Sequence, residues 1–314
     1  MPSVPRFQDA SHATTHEIRV ATPYRLDLTV SALRRMATNL VDVYTADGRH
    51  LRALDDVGDP VIASVTQSRE DGLTVSLRGG AGDTERTLTT VRRMLGTASD
   101  LADFQRQAGV IPWLAPLERR MRGLRPPRYP TLFEACANAI VFQQVSLQAA
   151  SANMRRLIRA LGTPVEVDGV ALAVFPTVER FLGADDAVIR AAGLSAGKCA
   201  ALRRTGEAIA AGTINDAMLE QRSSADAALL LRGIKGIGPW TAAVILLRGL
   251  GRLDVFPGND SGVAASLARV AGERVDVGSV VDRLGSQRGM LYFYLLLARM
   301  EARGEIGRPS VVAT

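Results

Sequence analysis

Apolar and polar positions alternate in two short runs near the start of the chain, Val61-Ile62-Ala63-Ser64-Val65 and Leu73-Thr74-Val75-Ser76-Leu77, and a third run rich in β-branched residues covers Arg25-Leu26-Asp27-Leu28-Thr29-Val30. These runs predict strands. Asp47-Gly48 and Asp71-Gly72 supply turn residues between them. From Thr84 to Leu95 the spacing becomes helical, with Leu88, Val91, Met94 and Leu95 on one face. A basic, proline-rich stretch from Arg119 to Pro130 then predicts an extended connector into a second domain. Beyond it the pattern predicts helices near 131–161, 177–182, 185–192, 196–211, 224–232, 239–249, 261–271, 278–284 and 288–303, with strand-like runs nearly absent. The expected fold class is α+β: a small antiparallel sheet with helices over 1–110, then an all-α body over 111–314.

The 314 residues, 47% hydrophobic and 22% charged, are enough chain for two or three globular domains. No run approaches about 18 uninterrupted apolar residues, and the N-terminal stretch lacks the apolar core of a secretory signal. A soluble, intracellular protein is expected, without a membrane partner. Cys136 and Cys199 stand too far apart for a cysteine-pair metal motif, and His12, His16 and His50 all lie in the first fifty residues. Neither a histidine-based triad nor a side-chain-ligated transition metal is expected. Charge is uneven: residues 1–105 hold 12 Arg/Lys against 14 Asp/Glu, whereas 106–314 hold 26 against 18. A basic C-terminal two-thirds points to a polyanionic partner, although only Lys198 and Lys235 are lysines and a general preference for arginine gives the same excess.

The most informative segment is Leu231-Arg232-Gly233-Ile234-Lys235-Gly236-Ile237-Gly238-Pro239-Trp240-Thr241. A helix ending near Gly233, a turn carrying Gly236 and Gly238, and Pro239 opening the next helix form a helix–turn–helix corner. Backbone N–H groups at such a turn suit a phosphate oxygen, while an ordinary corner needs the same glycines, so spacing leaves both readings open. Further on, Phe256-Pro257-Gly258-Asn259-Asp260 puts Asp260 just ahead of a helix, where an N-cap is the commonest role.

Together these two segments resemble the helix-hairpin-helix DNA glycosylases, and within them the 3-methyladenine DNA glycosylase II branch. Tyr129-Pro130-Thr131-Leu132-Phe133-Glu134, the Gln143-Gln144-Val145-Ser146 signature, Phe175-Pro176-Thr177, and Gly193-Leu194-Ser195 with Lys198 extend the resemblance over roughly residues 25 to 305. It implies a body of two helical lobes with the active-site cleft between them.

It also implies an enzyme that flips a damaged, alkylated purine out of duplex DNA and hydrolyses its N-glycosidic bond, with Asp260 stabilising the oxocarbenium-like sugar or activating water. Trp240 stands where the superfamily's strand-cutting members carry a lysine, which implies base release without lyase activity. Gly236, Gly238, Thr241, Lys235, Gln144 and Ser146 fall at DNA-binding positions, with Gln144 as the wedge that fills the gap left by the flipped base. Trp240, Val244, Tyr292 and Leu296 fall in the base pocket. Backbone carbonyls of Arg232, Ile234 and Ile237 match a monovalent-cation site (Na+ or K+), and no other cofactor is implied. The implied partner is double-stranded DNA with a damaged base, the implied state a monomer, and the setting, in a bacterium, cytoplasmic and nucleoid-associated. Val244 and Leu296 depart from the aromatics of alkylpurine enzymes. A glycosylase for deaminated or oxidised bases, or a non-catalytic DNA-binding protein, are the alternatives.

Overall fold

The computed structural model describes residues 5–7, 13–56, 58–80, 82–258, 260–272 and 275–311. His12, much of the N-terminal stretch and Asn259 of the Phe-Pro-x-x-Asp motif lie outside them.

Five strands, β2 (Thr14–Arg19), β3 (Asp42–Tyr44), β4 (His50–Asp56), β5 (Asp59–Arg69) and β6 (Gly72–Gly79), form an antiparallel sheet in the order β2-β6-β5-β4-β3. The strands expected at 61–65 and 73–77 are the middles of β5 and β6. The run at 25–30 is not a strand. It belongs to helix α1 (Leu26–Arg34), in which every residue except Asp27 is buried. Leu26, Val30 and Leu33 enter the core under the sheet, while Leu28 and Ala32 enter a second core on the opposite side. A helix with two apolar faces loses the 3.6-residue contrast, and its β-branched residues then imitate a strand.

The expected helix at 84–95 is α2 (Thr84–Met94), capped by Asp83 and packed under the sheet through Leu88, Val91 and Met94. Two further short helices, α3 (Ala102–Gly109) and α4 (Leu114–Arg120), precede the proline-rich segment, which runs without regular structure and is largely buried.

The expected long helix at 131–161 is two helices, α5 (Leu132–Val141) and α6 (Leu147–Leu161). The chain breaks between them at Gln144, whose φ of 52° is left-handed, and Ser146 caps the second helix. The body is not entirely helical. A hairpin of β7 (Thr163–Val167) and β8 (Val170–Val174) turns at Asp168 and Gly169, both at positive φ. This is the two-residue turn that Asp-Gly favours. With β1 (Arg6–Phe7) the hairpin makes a three-stranded sheet. Val165, Val167, Leu172 and Val174 pack on Val43, Leu51, Ala53 and Ile62 of the larger sheet.

The remaining helices are α7 (Val178–Leu182), α8 (Asp186–Ala191), α9 (Ala196–Ala210), α10 (Asp216–Glu220), α11 (Ser224–Arg232), α12 (Pro239–Arg248), α13 (Ser261–Ala271), α14 (Val277–Leu284) and α15 (Met290–Glu301). Helices α5–α9 share one core and α5, α11 and α12 the adjoining one. A separate core unites α1, α3, α4 and α13–α15. The two groups make two lobes with a cavity between them. Among the described residues no helix is long and apolar enough to cross a membrane.

Candidate active site

The cavity measures about 890 Å³, within the size of small-molecule sites, roughly 300–1,000 Å³. One wall comes from the α5–α6 turn and from the α11–α12 hairpin, the other from α13, α15 and the residue that follows α1.

Asp260 stands in this wall and caps α13. Its Oδ1 accepts from the backbone N–H groups of Gly262 (2.8 Å) and Val263 (3.0 Å), and its Oδ2 accepts from the Trp240 indole N–H at 2.9 Å. The cap and the cavity position are held by one residue. Three donors fix the carboxylate in a place where it still faces open space. Trp240 is half-buried and lines the same cavity, so the residue at the lyase-lysine position orients the carboxylate.

At the hairpin, α11 ends at Gly233 and Ile237 turns back to donate to the Ile234 carbonyl at 3.0 Å. Gly236 has φ 109° and packs so closely that a Cβ would meet Ala201 Cβ at 2.5 Å, so the fold itself requires glycine there. Gly238 differs. It precedes Pro239, the first residue of α12, in ordinary extended conformation, and a Cβ on it would meet nothing within 4 Å. The space over the N-terminus of α12 is open, with the positive end of the helix dipole behind it. Thr241 is buried at the rim, and its hydroxyl accepts from Gln143 Nε2 at 2.7 Å while the same amide donates to the Gly236 carbonyl at 3.0 Å. Gln143 thus clamps the Gln-Gln turn to the hairpin, a role that the sequence pattern did not single out. Its neighbour Gln144 projects exposed at the cavity mouth beside Val145 and Ser146.

Tyr292 and Leu296 line the cavity. Val244 does not: one turn deeper along α12 it is fully buried among α5 and α11 residues, correcting the expectation that it borders the base pocket. Lys235 is exposed on the turn outside the cavity, and Lys198 donates from Nζ to the Val141 carbonyl at 2.8 Å, closing the end of α5. The arginines of the basic connector are mostly engaged within the protein. Arg120 pairs with Glu301, Arg122 with Glu118, and Arg125 and Arg128 donate to backbone carbonyls. None of them lines the cavity.

Four other arginines do: Arg35, Arg269, Arg299 and Arg303. Burial pulls the Arg299 pKa below its ordinary value and Arg303 adds to this, while Asp260 opposes it. Among the described residues no cluster of His, Cys, Asp or Glu is arranged to hold a metal ion.

Residues 137–279 match the family model described as "HhH-GPD superfamily base excision DNA repair protein". A Mycobacterium tuberculosis protein named "Probable bifunctional transcriptional activator/DNA repair enzyme AlkA" is 35% identical over 55% of this chain and 34% of its own length. A Bacillus subtilis "DNA-3-methyladenine glycosylase" is 30% identical over 54% of this chain and 56% of its own. The chain thus spans between about a third and just over half of these curated relatives. The solved structure of the 3-methyladenine DNA-glycosylase from Archaeoglobus fulgidus superposes with a TM-score of 0.75 and 25% identity, covering 91% of this chain and 99% of that one.

Proposed function

We propose that this chain, whose residues 137–279 match the model of the HhH-GPD superfamily of base excision DNA repair proteins, excises a damaged, alkylated base from double-stranded DNA by hydrolysing the N-glycosidic bond. The observation that carries this reading is the Asp260 carboxylate, held by three donors in the wall of a cavity that opens beside the hairpin. A pure phosphate clamp has no use for a buried-edge carboxylate, whereas a sugar gaining positive charge at C1′ does. Gln144, exposed at the mouth in a left-handed conformation, is suited to enter the stack when the base leaves it. Gly238 and the first amides of α12 are suited to a phosphate beside the lesion. The carbonyls of Arg232, Ile234 and Ile237 are a chemically fitting donor set for a monovalent cation, although the Ile234 carbonyl already accepts the Ile237 N–H. When bound, such an ion adds positive charge near the phosphate. Action as a monomer is part of the same proposal.

The decisive variant is Asp260→Asn, which keeps the cap and loses the charge. Base release from duplexes carrying single alkylated purines should fall by about 10²–10³-fold, with affinity for abasic-site DNA retained. Near-wild-type turnover in the folded variant would overturn the assignment. Base release should also proceed without strand cutting, because neither lysine lines the cavity. Borohydride should accordingly trap no covalent protein–DNA adduct.

A further inference from the structure

Buried hydroxyls in this protein are satisfied from within, with one exception. Among the described residues, Thr29 accepts from the Arg125 N–H at 3.1 Å and Ser31 from the Gly307 N–H at 3.0 Å. Thr87, Thr97 and Thr205 donate to backbone carbonyls, and Thr241 accepts from Gln143. Ser266 on α13 is only 2% exposed and has no such partner. A hydroxyl inside a helix can turn back to the carbonyl four residues earlier, as Thr205 does to Ala201 at 2.8 Å. Ser266 does not bond the Gly262 carbonyl and lines the cavity instead. Solvent entering the cavity can meet this hydroxyl in the free protein. A base that displaces the solvent must take over the bond or leave the hydroxyl stranded.

The position of Ser266 along α13 sets what it can reach. Gly262, Ser266 and Arg269 recur at helical spacing on the cavity wall, and Ser266 is the most buried of the α13 residues there. Asp260 caps the same helix, so Ser266 lies six residues further on, about 9 Å along the axis. That matches the reach of a purine from its sugar carbon to a hydrogen bond beyond its far edge. With C1′ against the carboxylate, the N1–C6 edge, across the ring system from N9, comes to Ser266.

We propose that the Ser266 hydroxyl reads the 6-substituent of the flipped alkylated purine and admits both the amino group of adenine lesions and the oxo group of guanine lesions. The inference rests on the base-release reading of this site. A hydroxyl donates or accepts according to its rotation, so it donates to a 6-oxo group and accepts from a 6-amino group. A fixed ammonium or carboxylate at this position would choose one of the two. Ser266 also carries no charge, so it adds no repulsion to a base that the alkyl group has made cationic. Val263 and Leu296 line the same cavity and offer a base edge no polar group.

The test is single-turnover release of 7-methylhypoxanthine, 7-methyladenine and 7-methylpurine from otherwise identical duplexes by wild type and Ser266→Ala, each corrected for spontaneous loss. All three bases are cationic in the duplex and leave as neutral molecules, and they differ only along the N1–C6 edge. Ser266→Ala should lose about tenfold more on 7-methylhypoxanthine and 7-methyladenine than on 7-methylpurine. Equal effects on all three, or none, would overturn the role of Ser266 while leaving base release intact. A loss confined to one of the two 6-substituted bases would overturn the permissive reading. A wild type that releases none of the three would overturn the parent reading with it. Melting gives an independent check. The hydroxyl holds nothing inside the protein and alanine is the better helix former, so Ser266→Ala should melt at or above the wild-type midpoint. A lowered midpoint would make Ser266 a residue of the fold and overturn the proposal.

Discussion

Arg35 and Arg52, two of the three almost fully buried arginines among the described residues of the N-terminal region, are treated in opposite ways. Arg52 on β4 lies in the seam between the large sheet and α5. Its Nη1 reaches Asp42 Oδ2 at 3.1 Å and Glu134 Oε1 at 3.1 Å, its Nη2 reaches Glu134 Oε2 at 2.5 Å, and His50 completes the cluster on Asp42. Arg35, beside the cavity, has a ring, one hydroxyl and no carboxylate. Burial alone therefore says little about what a charge is for. The partners decide: a guanidinium forked between two carboxylates joins elements of the fold, whereas one set against a ring and a hydroxyl in a cavity wall makes no ion pair there.

The comparison is broken most sharply by removing one partner from the seam. Glu134→Ala strands the buried Arg52 beside Asp42 alone, and should lower unfolding stability by about 3–5 kcal/mol in urea or thermal melts. Arg35→Met removes a charge that makes no ion pair, so its stability should stay within about 1 kcal/mol of wild type. Equal destabilisation by the two variants would show that Arg35 is as structural as Arg52.

The same distinction divides the two hairpin glycines, with a smaller effect. Gly236 sits at φ 109° against Ala201, so Gly236→Ala should cost about 1–3 kcal/mol through strain and overlap. Gly238 has nothing within 4 Å of a Cβ, so Gly238→Ala should melt like wild type to within about 0.5 kcal/mol.

How much of this the sequence disclosed follows the same physics. The hairpin and Asp260 were legible because turn glycines, a helix-opening proline and a capping carboxylate are local patterns. Trp240, Tyr292 and Leu296, which line the cavity, and Val244, which lies in the core, were all named through the family resemblance, and one helical turn separates the cavity edge from the core. Arg35 was not legible at all. It lies beyond the Arg25–Val30 run, which reads as a strand because α1 is buried on both faces, and its meeting with Phe142 and Tyr292 depends on three distant segments closing on one another. The β7–β8 hairpin carried its Asp168-Gly169 signal openly, but sat inside a body whose pattern was otherwise helical. Composition, likewise, counts arginines without revealing that Arg125 and Arg128 donate to backbone carbonyls.

The finest division concerns charge at the cavity mouth. Gly238 offers a backbone N–H and room, and a backbone donor neutralises no phosphate. Arg269 and Arg303 are exposed on the cavity rim with full charges. A phosphate contact made by an arginine releases a counterion, and its loss flattens the slope of log affinity against log salt by roughly one unit. Gly238→Val should therefore weaken binding to abasic-site DNA while leaving the slope unchanged, because it obstructs close approach without altering charge. Arg269→Ala and Arg303→Ala should each flatten the slope, and Arg120→Ala, whose guanidinium is paired with Glu301 at 3.3 Å, should not. Titrations of fluorescent abasic duplex at several salt concentrations separate these outcomes. A slope that falls for Arg120→Ala but not for the rim arginines would move the DNA track away from the cavity and onto the outer face of α4. Undiminished affinity in Gly238→Val would reduce the open space above α12 to a corner of the fold.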